Sequence, residues 1–262
     1  MSTHQTHTHQ IQLTDEGIVQ VLSLLKNSDD VELKVTVPDA DQHSAVLELD
    51  LDVLDCDLRQ VVFFDTHDLQ LSRAGVIVRA RRARKRGDSV IKLRPVVPAE
   101  LPRRLRRADG FTIELDAIPG AFVCSGSLKE GADNTDVKEV LQGKRCIHKL
   151  FSHEQRAFYA EHAPKGLDLD ALTPFGPINL AKTKFKLDEA IDREAVAELW
   201  FYPDGTRILE LSVKCMPDEA FNLAVATRAA LTRHGITLTG EQQTKTRKAL
   251  QYFSRLHGKN GH

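Results

Sequence analysis

The sequence predicts an α+β protein built on an eight-stranded antiparallel β-barrel, a tunnel jacketed by helices. Three observations carry that expectation. Short segments alternate charged and apolar residues with period two, as strands do. On one segment after another the polar face is ionic rather than merely hydrophilic. Amphipathic helical stretches are numerous enough to cover the apolar faces.

With 262 residues, 41% hydrophobic and 28% charged, the chain can bury a sizeable core. No stretch rich in Gly, Ser or Pro divides it, so one domain is expected over residues 28–256. A polar, His-rich lead-in with its first helix (1–27) precedes that domain, and a short tail (257–262) follows. The net charge of −1 argues against a nucleic-acid partner. The charge is nevertheless blocked: Asp29 to Asp57 is mostly acidic, and Arg79 to Arg107 is strongly basic. Cys56, Cys124, Cys146 and Cys215 are scattered without a Cys-x-x-Cys pair, and read as reduced thiols. No run approaches the ~20 apolar residues of a membrane span, so a cytoplasmic protein without a membrane partner is expected.

A first helix is expected from Asp15 to Lys26, capped by Thr14, with Ile18, Val21, Leu22 and Leu25 inward. Asp30–Val37 alternates strictly, and Pro38 ends it. Strands follow near Ala45–Leu51, Arg59–Asp65, Val76–Ala83, Ser89–Pro95 and Phe111–Ala117. Thr135 to His162 reads as two helices broken near Leu150–Ser152, with Ser152 and Gln155 forming a capping box. His148, His153 and His162 lack metal-ligand spacing and read as structural or surface groups. Asn179–Leu187 is a strand, and Ala197–Tyr202 and Thr206–Cys215 form a hairpin across Pro203-Asp204-Gly205. Helices near Asp218–His234 and Glu241–Leu256 close the chain; on the first of them Phe221, Val225 and Leu231 share a stripe.

Sorting each strand by face exposes the chemistry. Asp30, Glu32 and Lys34 share one side, as do Arg79 with Arg81, Lys92 with Arg94, and Glu114 with Asp116. Lys182, Lys184 and Lys186 share another, then Glu198 with Trp200, and Glu210 with Ser212 and Lys214. An antiparallel sheet often turns a polar face to water. Like charges two residues apart repel, however, and such pairs are tolerated where opposite charge lies between them. Segregation of sign by strand suits a polyanion held by cations on one flank and metal held by carboxylates on the other. Among the remaining residues, Trp200 reads as packing, while Arg103, Arg104, Arg106 and Arg107 read as a solvated loop.

Several of these residues fall into ordered motifs. Asp30-x-Glu32-x-Lys34 resembles the Glu-x-Glu-x-Lys signature of the CYTH domain, the triphosphate tunnel metalloenzymes. The segment from Phe63 to Arg81 is similar to that family's second signature. Lys92-x-Arg94, Lys182-x-Lys184, the turn Tyr202–Gly205 leading to Glu210, and Thr244–Leu250 follow in the family's order. The resemblance covers residues 28–256. It implies an eight-stranded antiparallel tunnel and phosphate grips at Lys34, Arg79, Arg81, Lys92, Arg94, Lys182, Lys184 and Lys245. It further implies Mg²⁺ or Mn²⁺ ligands at Asp30, Glu32, Glu114, Asp116, Glu198 and Glu210, and a catalytic set of Lys34, Arg79 and Glu210. The implied activity is hydrolysis of inorganic triphosphate, short polyphosphate or an organic triphosphate. The alternatives are cyclic AMP formation from ATP by a class IV adenylate cyclase, or binding of a polyphosphate or nucleotide without turnover. Two departures stand out: Asp30 replaces the first glutamate, and Glu210-x-Ser212-x-Lys214 replaces a late group of carboxylates.

Overall fold

A computed structural model describes residues 15–236 and 244–259. The expected Thr14 cap, the histidines at positions 4, 7 and 9, and the start of the last helix at Glu241 lie outside the described residues. The strands are β1 (Asp30–Val37), β2 (Asp57–Asp65), β3 (Val76–Ala83), β4 (Gly87–Leu93), β5 (Phe111–Ile118), β6 (Ala121–Ala132), β7 (Thr173–Phe185), β8 (Ala195–Phe201) and β9 (Arg207–Cys215). They close a barrel in the order β1-β5-β6-β4-β3-β2-β7-β8-β9.

The barrel therefore has nine strands, not the eight expected, and it is mixed rather than wholly antiparallel. These two corrections are one. Strand direction cannot alternate all the way round an odd-membered ring, so at least one neighbouring pair must run parallel. That pair is β1 with β5, where Asp30 lies beside Glu114 and Glu32 beside Asp116. Two segments also differ from expectation, one lost as a strand and one gained. The segment expected as a strand over Ala45–Leu51 is helical, with Ala45 and Leu49 buried one turn apart. The missed strand, β6, is rich in Gly, Ser and Ala, which have weak strand propensity. Packing decides there: a side chain on Gly126 would stand 2.6 Å from the Phe111 ring across the β5–β6 pair.

The helices are α1 (Asp15–Lys26), α2 (Gln42–Glu48), α3 (Gln70–Arg73), α4 (Arg103–Arg106), α5 (Asn134–Leu141), α6 (His153–His162), α7 (Ala220–Arg233) and α8 (Lys245–Lys259). With the charged faces turned inward, the apolar faces need an outer layer. Val31, Leu33, Ile113 and Leu115 pack under α1, α5 and α6, and Val35, Leu211 and Val213 under α2 and α7. The Ser152–Gln155 capping box starts α6 as expected, and Gln155 is fully buried on Ser89 and the Leu128 carbonyl. Two helix faces differ from expectation. Of the four residues expected inward on α1, Val21 and Leu25 are buried, while Ile18 and Leu22 stay exposed. On α7 the packed stripe is Leu223, Ala226, Ala230 and Leu231, at helical spacing, which leaves Phe221 and Val225 outside.

The last helix is not part of the outer layer. Ala249, Leu250 and Phe253 of α8 pack with Val61, Phe63, Ile178, Leu180, Trp200 and Ile208. By strand alternation these six lie on the barrel's inner face, and Phe63 and Trp200 line its cavity. The helix fills one end of the barrel and brings Lys245 inside.

Candidate active site

The barrel encloses a cavity of about 350 Å³. Glu32, Lys34, Arg79, Arg81, Lys92, Arg94, Glu114, Asp116, Lys182, Glu198, Glu210 and Lys245 all line it. The ionic faces of separate strands thus converge on one enclosed space. Two of the expected site residues do not. Asp30 lies outside the lining, paired with Lys214 at 3.5 Å. Lys184 keeps the face of Lys182 but stands two residues nearer the end of β7, beyond the lining, where its exposed amine meets Glu194 at 2.6 Å.

Carboxylates and cations interleave. Lys34 Nζ lies 2.8 Å from Glu32 and 2.7 Å from Asp116, and Arg94 reaches the other oxygen of Asp116 at 2.8 Å. Asp116 is completely buried. Burial alone would raise its pKa, but Lys34, Arg94 and Lys92 overrule that and hold it well below the usual carboxylate range. Glu114 is shifted the same way: Lys34 and Lys92 outweigh the desolvation. Burial opposes the charge on Lys34, yet Asp116, Glu32, Glu210 and Glu114 raise its pKa well above that of a free lysine. A second cluster forms where α8 enters. Lys245 Nζ sits 2.5 Å from Glu198 and 2.6 Å from Glu210, and 5.1 Å over the Trp200 ring. The indole donates to Glu198 at 3.2 Å, so Trp200 belongs to the wall.

The wall made by β3, β4 and β6 is different: its cations outnumber its acids. Arg81 forks onto both oxygens of Asp88, Nε donating to Oδ1 at 3.0 Å and Nη2 to Oδ2 at 2.7 Å. Arg79 has no such partner. Among the described residues its nearest carboxylate is the same Asp88, at 3.8 Å, and its buried Nε has no hydrogen-bond acceptor. Burial and the neighbouring Arg81 push the guanidinium down to about 10. Burial likewise lowers Lys92, Lys129 and Lys182, against the pull of nearby acids. Lowered cations around a shared space mark a deficit of negative charge.

Sequence reasoning missed Lys129, Asp88 and the inward role of Lys214. Lys129 lies on the unrecognised β6, where Ser127 and Lys129 share a face. Asp88 falls just before the expected strand Ser89–Pro95, yet it lies within β4 opposite Arg81. Lys214, a departure from the family's pattern, lines the cavity and bonds Glu114.

Glu32, Glu114 and Asp116 place carboxylate oxygens within 4.8 Å of one another. An all-oxygen, carboxylate set fits a hard divalent cation such as Mg²⁺ or Mn²⁺. Glu198 and Glu210 form a separate pair around Lys245.

No family model and no curated protein sequence matches the chain. Solved structures do. A Bacillus halodurans protein named as a candidate adenylate cyclase superimposes with a TM-score of 0.58 at 14% identity, over 84% of this chain and 97% of that one. A Hippeastrum protein, named as a candidate adenylyl cyclase with a dominant triphosphatase activity, gives a TM-score of 0.61 at 15% identity, over 84% and 95%. The chain has the CYTH-like fold of these proteins.

Proposed function

We propose that the tunnel binds inorganic triphosphate or a related organic triphosphate with a divalent metal and hydrolyses it. One observation carries this reading: the half-buried Arg79 guanidinium, with its Nε buried, faces the cavity without an anion of its own among the described residues. Leaving a buried charge so poorly compensated costs stability, and such sites persist where a ligand completes them.

Arg79 forks phosphate oxygens, a geometry the planar guanidinium favours, while Arg81, oriented by Asp88, and Lys92, Lys129 and Lys182 add charge along the chain of phosphates. Lys34 exchanges carboxylate partners for a phosphate oxygen as substrate enters. Glu32, Glu114 and Asp116 hold the cation, which when bound supplies charge neutralisation at the phosphoryl oxygens. Glu114 and Asp116 are too weakly basic at neutral pH to take a proton from water, because the surrounding lysines keep them ionised. Their task is holding charge, not proton abstraction. Helix α8 closes one end against bulk water and fixes Lys245, Glu198 and Glu210 as a rigid wall. The triphosphatase activity named for the Hippeastrum neighbour supports hydrolysis over cyclisation.

Phosphate release from tripolyphosphate with Mg²⁺ or Mn²⁺ tests the proposal. The wild-type chain is expected to release orthophosphate, and an Arg79→Ala, Lys92→Ala double variant to lose it. Equal release by both would reject the reading. Cyclic AMP from ATP, with tripolyphosphate untouched, would replace hydrolysis by cyclisation.

A further inference from the structure

On the barrel's outer side, far from the acids and cations of the tunnel lining, three side chains of metal-ligand type meet. Cys146 precedes the turn Ile147–Leu150, His148 lies within it, and Asp170 lies in the turn Leu169–Ala171. A sulfur, a ring nitrogen and a carboxylate oxygen from these residues fall within 4.8 Å of one another. Twenty-two positions separate His148 from Asp170, so no local spacing announces the cluster. The fold fixes it from beneath. Ile147, Leu150 and Leu169 are buried in one apolar cluster, and this locks the two turns together with their polar side chains outward. Asp170 is clamped twice by His148: the backbone N–H donates to Oδ1 at 2.9 Å, and imidazole Nδ1 lies 2.5 Å from Oδ2. His148 and Asp170 also border an open cleft with Arg156 and Tyr159.

We propose that Cys146, His148 and Asp170 form a second metal site, selective for Zn²⁺ over the hard cations suited to the tunnel. Thiolate and imidazole prefer zinc, whereas magnesium and manganese prefer oxygen alone. A tetrahedral zinc ion places its ligand atoms about 3–4 Å apart, within small side-chain adjustments of this arrangement. The cation replaces the proton shared by Nδ1 and Oδ2, binds Cys146 as thiolate with release of the thiol proton, and keeps a fourth position open to the cleft. Bound there, it staples the turn leading into α6 to the turn leading into β7.

Cobalt(II) spectroscopy tests this, because a cobalt–thiolate bond gives a near-ultraviolet charge-transfer band that oxygen and nitrogen ligands do not. The tunnel and the histidines at positions 4, 7 and 9 can also bind cobalt, but neither offers a thiolate. In buffer reduced with a phosphine, not a thiol, the full chain is expected to show the band at one equivalent, to lose it when one equivalent of Zn²⁺ is added, and to keep it in excess Mg²⁺. Cys146→Ser is expected to abolish the band. His148→Ala and Asp170→Asn are each expected to weaken Zn²⁺ competition by roughly tenfold or more. Zn²⁺ is expected to raise the melting temperature of the wild type more than that of Cys146→Ser, since the variant keeps only the tunnel's carboxylates for the metal. All three are surface substitutions, and unchanged circular dichroism without metal certifies each fold. Absence of the band in the wild type, its survival in Cys146→Ser, or Zn²⁺ affinity indifferent to both His148→Ala and Asp170→Asn would overturn the proposal.

Discussion

Arg79 Nη2 stands 3.8 Å from Asp88 Oδ1, while Arg81 holds both oxygens of that carboxylate in a fork. One acid therefore serves two half-buried guanidiniums, and the second is left for something else. Replacing Arg79 with Met removes an undercompensated charge and keeps most of the packing. Arg79→Met is expected to melt at the same temperature as the wild type or higher. It should bind triphosphate more weakly by about 1.5–3 kcal/mol, the value of hydrogen bonds to charged groups. Calorimetry and thermal melting on one preparation check both signs. A variant that unfolds readily would show that Arg79 supports the fold instead.

Asp116 is the opposite case, a buried acid with two close cations. Asp116→Asn leaves Lys34 and Arg94 without their shared anion and is expected to destabilise the fold by about 3–5 kcal/mol. The pH dependence follows from its lowered pKa. A carboxyl depressed in the folded state stabilises above its unfolded value, about 4, and that stability is lost as pH falls through the folded value. The stability gap between wild type and Asp116→Asn should hold from neutral pH down to about 4 and close only in stronger acid. Urea titrations across that range measure it. A gap that closes near neutrality would contradict the assignment.

Lys129 reports on the anion itself. Burial and the arginines at 79 and 81 lower its pKa in spite of Asp88. A base lowered in the free protein gives up its proton at a lower pH than a free lysine does, and a bound polyanion opposes that loss. Triphosphate binding in chelator is expected to take up protons where Lys129 titrates in the free protein and to weaken as pH rises through that range. Calorimetry in two buffers of different ionisation enthalpy gives the uptake, which should fall in Lys129→Met. Uptake unchanged by that substitution would exclude Lys129 from the anion's surroundings.

Two lysines of one strand separate tunnel from rim. Lys182 lines the cavity beside Glu198 at 3.3 Å, whereas Lys184 pairs with Glu194 outside. Lys182→Ala is expected to weaken triphosphate binding by roughly tenfold or more, and Lys184→Ala to leave it within error, since exposed ion pairs contribute little. Equal losses from both would place the substrate path farther out than the cavity.

Period-two alternation made most of this site legible before any coordinates. A strand with a buried apolar face cannot slip by one residue without inverting every side chain, so Asp30–Val37 and Arg207–Cys215 declared their faces. What stayed hidden was set by tertiary context. The residues of β6 have small side chains and little strand propensity, and only the Phe111 ring over Gly126 makes their choice plain; Lys129 was lost with them. Face patterns carry no depth, and for that reason Lys184 read like Lys182. The inward packing of α8 was hidden too, because Ala249, Leu250 and Phe253 would look the same on an outer helix. Cys146, His148 and Asp170 are joined by two turns whose proximity no local pattern encodes.

Equilibrium binding of tripolyphosphate to the chelator-treated chain, at low and high salt, tests the central claim that the inward charges form a polyanion site. Saturable binding at one site per chain is expected, falling steeply with salt and lost in the Arg79→Ala, Lys92→Ala variant while that variant stays folded. No saturable binding, or binding that survives the double substitution unchanged, would contradict it.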